Sequence, residues 1–196
     1  MKLKVVLPTV VVMLGLAVGV YFFRPHTFHG TVIQSPEPSF DFKLKGIDGD
    51  VSLSDYRGKL VLIYFGYTFC PDICPATLAN VGQALRNLGE NKASDVQTIM
   101  VSLDPERDTP EKLAGYVTHF HPSFIGITGT EQDIAQVTSL YGIFYQVQPG
   151  SDATGYLIDH TATLLVIDRE GYLKLVFPFG VTVDEIADDL EYMLRQ

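Results

Sequence analysis

Three hydrophobic patterns succeed one another along the chain. Residues 5–23 carry no charge, and at ~1.5 Å per residue they make about 28 Å of helix, close to the ~30 Å hydrocarbon core of a bilayer. This predicts a membrane-spanning helix behind a short cytoplasmic tail, residues 1–4. Residues 24–39 show no period, contain Pro25 and the cluster Ser35-Pro36-Glu37-Pro38, and read as an extended tether. From Phe40 onward, short continuous apolar runs alternate with segments of 3.6-residue periodicity, which predicts one α/β domain over residues 40–196.

Within that domain, residues 40–44 and 51–53 read as short strands around the turn Gly46-Ile47-Asp48-Gly49, and residues 60–65 as a strand buried on both faces. A helical pattern covers 76–88 and a second buried strand 96–103. Thr109-Pro110-Glu111 then supplies an N-cap, a proline at the first helical position and an early acid for another helix. Short apolar segments at 124–127 and 144–147 flank a helix over 131–141. Residues 163–167 and 172–177 form an antiparallel hairpin around Asp168-Arg169-Glu170-Gly171, and a last helix covers 183–194. A buried strand, a dithiol turn, a helix, another strand and a closing hairpin plus helix describe a thioredoxin-like domain, with a mixed central sheet flanked by helices and one transmembrane helix before it.

The dithiol is Cys70 and Cys74, the only cysteines, in Gly66-Tyr67-Thr68-Phe69-Cys70-Pro71-Asp72-Ile73-Cys74-Pro75. A disulfide across so short a loop adds little stability, so redox chemistry or soft-metal binding accounts for the pair better than a structural staple. Each cysteine precedes a proline. A helix starting at Pro71 would meet Pro75 four residues on, without an N–H, so the helix is expected to start at Pro75 with Cys74 near its N-cap. Helix N-terminal N–H groups favour the thiolate, which is both nucleophile and metal ligand.

Charge narrows the partners. The chain has 14 basic and 23 acidic residues, net −9, and beyond Arg24 only 11 basic residues remain. Such a surface repels nucleic acid. Lys2 and Lys4 outweigh Arg24, so the domain is expected on the exported side. A cleaved signal peptide is the alternative, given Ala17 and Gly19, but the apolar run continues through Phe23. The short basic tail, without an Arg/Ser-rich presequence, points to a single-pass inner-membrane protein facing the periplasm, ahead of a mitochondrial one facing the intermembrane space.

Two sulfurs make an incomplete site for most metals, so a third ligand is sought among five histidines. His26 and His29 lie in the tether, and His119 and His121 flank a helix end; solvated positions account for all four. His160, in Asp159-His160-Thr161 just before a strand, is either a hydrogen-bonded structural histidine or the third ligand. A Cys-Cys-His set suits copper, with thiolates selecting Cu(I) and imidazole helping to hold Cu(II); zinc would need a fourth ligand.

The dithiol segment, together with Val101-Ser102-Leu103-Asp104-Pro105-Glu106-Arg107-Asp108-Thr109-Pro110 and Asp159-His160-Thr161, resembles the SCO/SenC family of membrane-anchored, thioredoxin-like copper chaperones for cytochrome c oxidase. The resemblance runs from about Phe40 to the C-terminus. It implies copper ligation by Cys70, Cys74 and His160 and delivery to the binuclear copper site on the copper-bearing subunit of the oxidase. An upstream copper donor and a thiol reductant are implied as further partners. Phe69 stands where many relatives carry histidine. The segment from Asp104 to Pro110 is explained as a strand-to-helix loop with a cap and is given no catalytic role.

A second reading is enzymatic, a specialised thiol-disulfide oxidoreductase using Cys70 and Cys74 on the acceptor's cysteines before metal arrives. The Cys-x3-Cys spacing, the lack of Trp and the absence of a proline in the 159–161 turn disfavour a general oxidoreductase. A peroxidase of the same fold group would want a Thr three residues before the reactive cysteine, whereas Thr68 lies two before Cys70. A copper or redox sensor would use the same site.

Overall fold

The computed structural model describes residues 26–151 and 155–196. Its centre is a mixed six-stranded sheet of strand order β1-β10-β9-β4-β5-β6. The parallel half comprises β4 (Leu60–Gly66), β5 (Val96–Ser102) and β6 (Ile125–Ile127); the antiparallel half comprises β9 (Leu164–Ile167), β10 (Leu173–Phe177) and β1 (Thr31–Val32). Every residue of β4 and β5 is buried, which is why both read as unbroken apolar runs rather than alternating ones. Helices α1 (Ile73–Leu88), α2 (Glu90–Ala93), α3 (Pro110–Thr118), α4 (Glu131–Leu140) and α5 (Val183–Leu194) complete the domain. The thioredoxin-like expectation for the domain agrees with this layout.

Two hairpins stand outside the sheet. Strands β2 (Lys43–Gly46) and β3 (Gly49–Ser52) pair around the expected turn, where Gly49 takes φ +125°, a conformation that disfavours any side chain. They touch the sheet edge through reciprocal backbone bonds between Lys45 and Thr128. Strands β7 (Tyr145–Pro149) and β8 (Tyr156–His160) pair with each other alone. Of the two, only part of β7 was expected.

Thr109 caps α3 as expected, its side chain accepting from the Lys112 N–H with Pro110 at the first helical position. Helix α1 departs from expectation. It begins at Ile73, not Pro75, so Cys74 is its second residue and Pro75 its third. The first four N–H groups of a helix have no intrahelical partner, so a proline there removes nothing the helix uses.

The tether also needs correction. From His26 to Ile33 the chain is docked on the domain. Asp189 of α5 is fully buried and accepts from the backbone N–H groups of His29 and Gly30 and from His26 Nε2 at 2.8 Å. The His26 ring stacks on Tyr192 at 4.3 Å, and Thr31 and Val32 pair with Val176 and Leu175 of β10. His26 is therefore an interior fastening, since a buried carboxylate needs its lone pairs filled, whereas the His29 ring stays exposed as expected and only its backbone N–H reaches Asp189.

The expected membrane span, residues 5–23, lies outside the described residues. Among the described residues no helix is long and apolar enough to cross a membrane: the longest, α1, has 16 residues, with one face of it polar and exposed. The described residues thus lend no support to the expectations of a membrane-anchored protein and of a single-pass inner-membrane topology facing the periplasm. What the structure supports is the thioredoxin-like domain by itself.

Candidate metal centre

Strand β4 ends at Gly66, and the chain turns through Tyr67 to Asp72 before entering α1. The turn is pinned by Asp108, a fully buried carboxylate from the loop after β5. It accepts from the Thr68 N–H and hydroxyl and from Ser102 Oγ, at 2.9, 2.5 and 2.7 Å. The dithiol turn is thus tied to the loop that follows the neighbouring strand.

Within the turn the sulfur of Cys70 takes the part of a helix cap. Asp72 holds the N-cap position yet makes no side-chain cap bond, and Pro75 has no N–H to offer. The Cys74 N–H instead donates to Cys70 Sγ at 3.4 Å. Cys74 itself points inward and is wholly buried over the end of β4. A Cβ at Gly66 would stand 2.9 Å from Cys74 Sγ and 2.8 Å from the Tyr64 ring, so the glycine is what lets the sulfur settle there.

The third side chain arrives from β8, whose last residue is His160. His160 Nε2 lies 3.6 Å from Cys74 Sγ, and Nδ1 lies 3.2 Å from the Thr161 carbonyl. A carbonyl can only accept, so Nδ1 carries the proton and the Nε2 lone pair faces the sulfurs. Tyr64 and Tyr67 pack edge-on against the ring, with centroids at 6.2 and 6.1 Å. One ligand atom from each of Cys70, Cys74 and His160 lies within 4.8 Å of the others.

The spacing suits a metal ion. Metal–sulfur and metal–nitrogen bonds of about 2.3 and 2.0 Å in a trigonal arrangement separate S from N by about 3.7 Å, against 3.6 Å here. The two thiols differ sharply in acidity. The hydrogen bond from Cys74, helped by the backbone N–H groups of Asp72 and Cys74, brings Cys70 down to about 4 against the opposing effect of burial. The Cys70 thiolate and then burial push Cys74 far upward. The pair therefore holds one negative charge and shares one proton. Tyr64 also stays protonated, raised by burial first and by the Cys74 sulfur next. A cleft of about 450 Å³ between the 70–73 turn and β8 leaves half-buried Cys70 open to solvent.

Of the remaining histidines, His26 and His29 belong to the docked N-terminal segment, His119 ends α3, and His121 Nδ1 bonds Ser123 Oγ at 2.8 Å. None approaches the cysteines closely enough to join the cluster.

The sequence model of the SCO1/SenC family matches residues 33–195. The chain belongs to the SCO1/SenC family. It is 43% identical to a SCO2-like protein of Rickettsia conorii over 137 residues, 68% of this chain and 66% of that protein. With the mitochondrial SCO2 homolog of Bos taurus it shares 36% over 152 residues, 76% of this chain and 57% of that one. The chain thus spans about two thirds or less of these relatives. Among solved structures, the apo Sco1 protein of Thermus thermophilus has a TM-score of 0.76 at 41% identity, covering 85% of this chain and 97% of that one. ScoI of Arabidopsis thaliana, solved with copper bound, gives 0.75 at 34%, covering 82% and 99%.

The Sco-type domain has a further set of site residues that the sequence reading passed over. Beyond forming a capped loop, Asp104, Arg107 and Asp108 touch both elements that carry the cluster. The signal available was the density of charge, Asp104, Glu106, Arg107 and Asp108, directly after a fully buried strand. Charges so placed must find partners.

Proposed function

We propose that this domain is a copper metallochaperone. The Cys70 and Cys74 thiolates and the His160 imidazole take up one copper ion and pass it to a thiolate-bearing acceptor, the copper-bearing subunit of cytochrome c oxidase. The observation that carries this reading is the aim of His160, with its Nε2 lone pair turned to the sulfurs and its Nδ1 proton committed to a carbonyl. Two thiolates and one imidazole match the preference of Cu(I), and the imidazole extends the set to Cu(II). Family membership, and relatives solved with copper bound, support copper over zinc, as does the lack of a fourth clustered ligand among the described residues. Half-buried Cys70 is the sulfur an incoming thiolate reaches first, so ligand exchange starts there without release of free metal. Anaerobic Cu(I) titration of the reduced protein with a competing chelator tests the reading. One tightly held copper, weakened in His160→Ala, is expected; binding indifferent to His160 would refute it.

The split acidity of the thiols favours one second reading, reduction of the acceptor's disulfide. The Cys70 thiolate attacks one acceptor sulfur and expels the other as thiolate, giving a mixed disulfide. Cys74 then loses its proton and displaces the acceptor sulfur, leaving a Cys70–Cys74 disulfide and an acceptor dithiol. Two electrons pass to the acceptor, and a thiol reductant must restore the pair. Trapping of a mixed disulfide by Cys74→Ser, equally strong when His160 is Ala, would select this reading.

A further inference from the structure

One guanidinium bridges the two arms of the metal centre. Arg107, in the loop between β5 and α3, donates from Nε to Asp104 Oδ2 at 2.5 Å and from Nη1 to the Tyr156 carbonyl at 3.0 Å. Its Cζ lies 3.6 Å from the centroid of the Tyr156 ring and 4.6 Å from that of Phe69. Phe69 precedes Cys70, and Tyr156 opens the strand that ends at His160. Asp104, buried, also accepts from the Tyr156 hydroxyl at 2.6 Å and so closes a ring of three contacts. Lys112 Nζ stands 4.0 Å from the Phe69 ring and 3.5 Å from Asp108.

We propose that Arg107 is a positioning residue that keeps His160 in reach of the cysteine sulfurs by clamping β8 against the dithiol turn; this rests on the Cys70-Cys74-His160 reading. The hairpin carrying His160 shares no ladder with the central sheet. It is held beside the site by side chains: the Tyr67 hydroxyl accepts from the Ile158 N–H at 3.2 Å, and Arg107 and Asp104 grip Tyr156. Arginine suits the task because a flat cation can stack on a ring, pair with a carboxylate and donate to a carbonyl at once, whereas the ammonium of lysine is a point charge. Phe69 extends the clamp to the residue beside Cys70, so the two arms are joined through one side chain.

The test measures copper affinity by anaerobic competition in the full chain for wild type, Arg107→Met, His160→Ala and the double variant. It adds ring-to-ring NOEs between His160 and Tyr67 in the metal-free protein. Arg107→Met is expected to bind copper about 10- to 100-fold more weakly, to cost nothing further in the His160→Ala background, and to lose the NOEs. Arg107→Lys is expected not to restore them, and Tyr156→Phe, which loses only the hydroxyl bond, to shift affinity the same way by less. Equal losses in both backgrounds would place the effect on the cysteines or the whole fold and overturn the proposal. Unchanged NOEs in Arg107→Met would overturn it too. If His160→Ala binds copper as tightly as wild type, the three-ligand reading fails, while the metal-free NOEs still decide the clamp.

Discussion

Strand β4 leads into the dithiol turn and β8 ends at His160, so both bring ligands to the same small space, and they are built in opposite ways. All seven residues of β4 are buried, and it is flanked by β5 and β9. In β8 only Ile158 of five residues is buried, and its one ladder partner is β7. The cysteine arm is thus part of the core, where any displacement disturbs close-packed neighbours. The histidine arm is hung from the core by a few polar side-chain contacts. A centre assembled this way keeps buried Cys74 fixed and lets His160 yield at a smaller cost, which under the proposed chaperone role would ease release of the ion.

The comparison is broken most directly at the ligands. Cys74→Ser is expected to abolish tight copper binding, whereas His160→Ala is expected to keep one copper per chain with an affinity about 100-fold lower; competition titration separates the two. Native-state hydrogen exchange should then show β4 and β5 amides exchanging about 10³-fold or more slowly than those of β7 and β8. Equal protection would mean that the hairpin is as firmly held as the sheet.

Acidity sharpens the comparison within the cysteine arm. Because Cys70 is lowered from the ordinary thiol value to about 4, its thiolate persists on acidification. Its alkylation rate should stay flat from pH 8 to about pH 5 and fall only as the pH drops through about 4, with Cys74 unlabelled in the folded protein. The shared proton makes a companion prediction. Loading Cu(I) at neutral pH should release about one proton per ion, from Cys74, rather than two, which calorimetry in buffers of different ionisation enthalpy reads directly. The smallest effect is mechanical. Gly66→Ala brings a Cβ within 3 Å of Cys74 Sγ and the Tyr64 ring, and overpacking of this kind costs about 1–3 kcal/mol, measured by denaturant unfolding.

The same contrast explains what could be read from the sequence. Burial on both faces leaves a continuous apolar run, so β4, β5 and the β9–β10 hairpin are legible, and the amphipathic pattern marks α5. The β7–β8 hairpin was half missed because its strands are mostly part-exposed and show no clean alternation. Helix α1 starts two residues before the expected Pro75 because that proline falls where no N–H is required. The docked N-terminal segment was missed because its fastening, Asp189, is about 160 residues away. A hint was present. Asp189 lies on the stripe of Ile186, Leu190 and Met193, the buried face of α5, and an acid there must be satisfied by something. At the metal centre the sequence named the ligand candidates but not their supports, since Asp104, Arg107 and Tyr156 are brought together only by the fold.

The docked N-terminal segment gives the domain a polarity. Phe28 and Tyr192 border a groove with Leu60, the first residue of β4, while Cys74 sits over Gly66 at its last. Six residue steps at ~3.3 Å put about 20 Å between those two ends. His26 therefore enters the domain at its foot, and under the chaperone reading an acceptor would meet Cys70 at the opposite end.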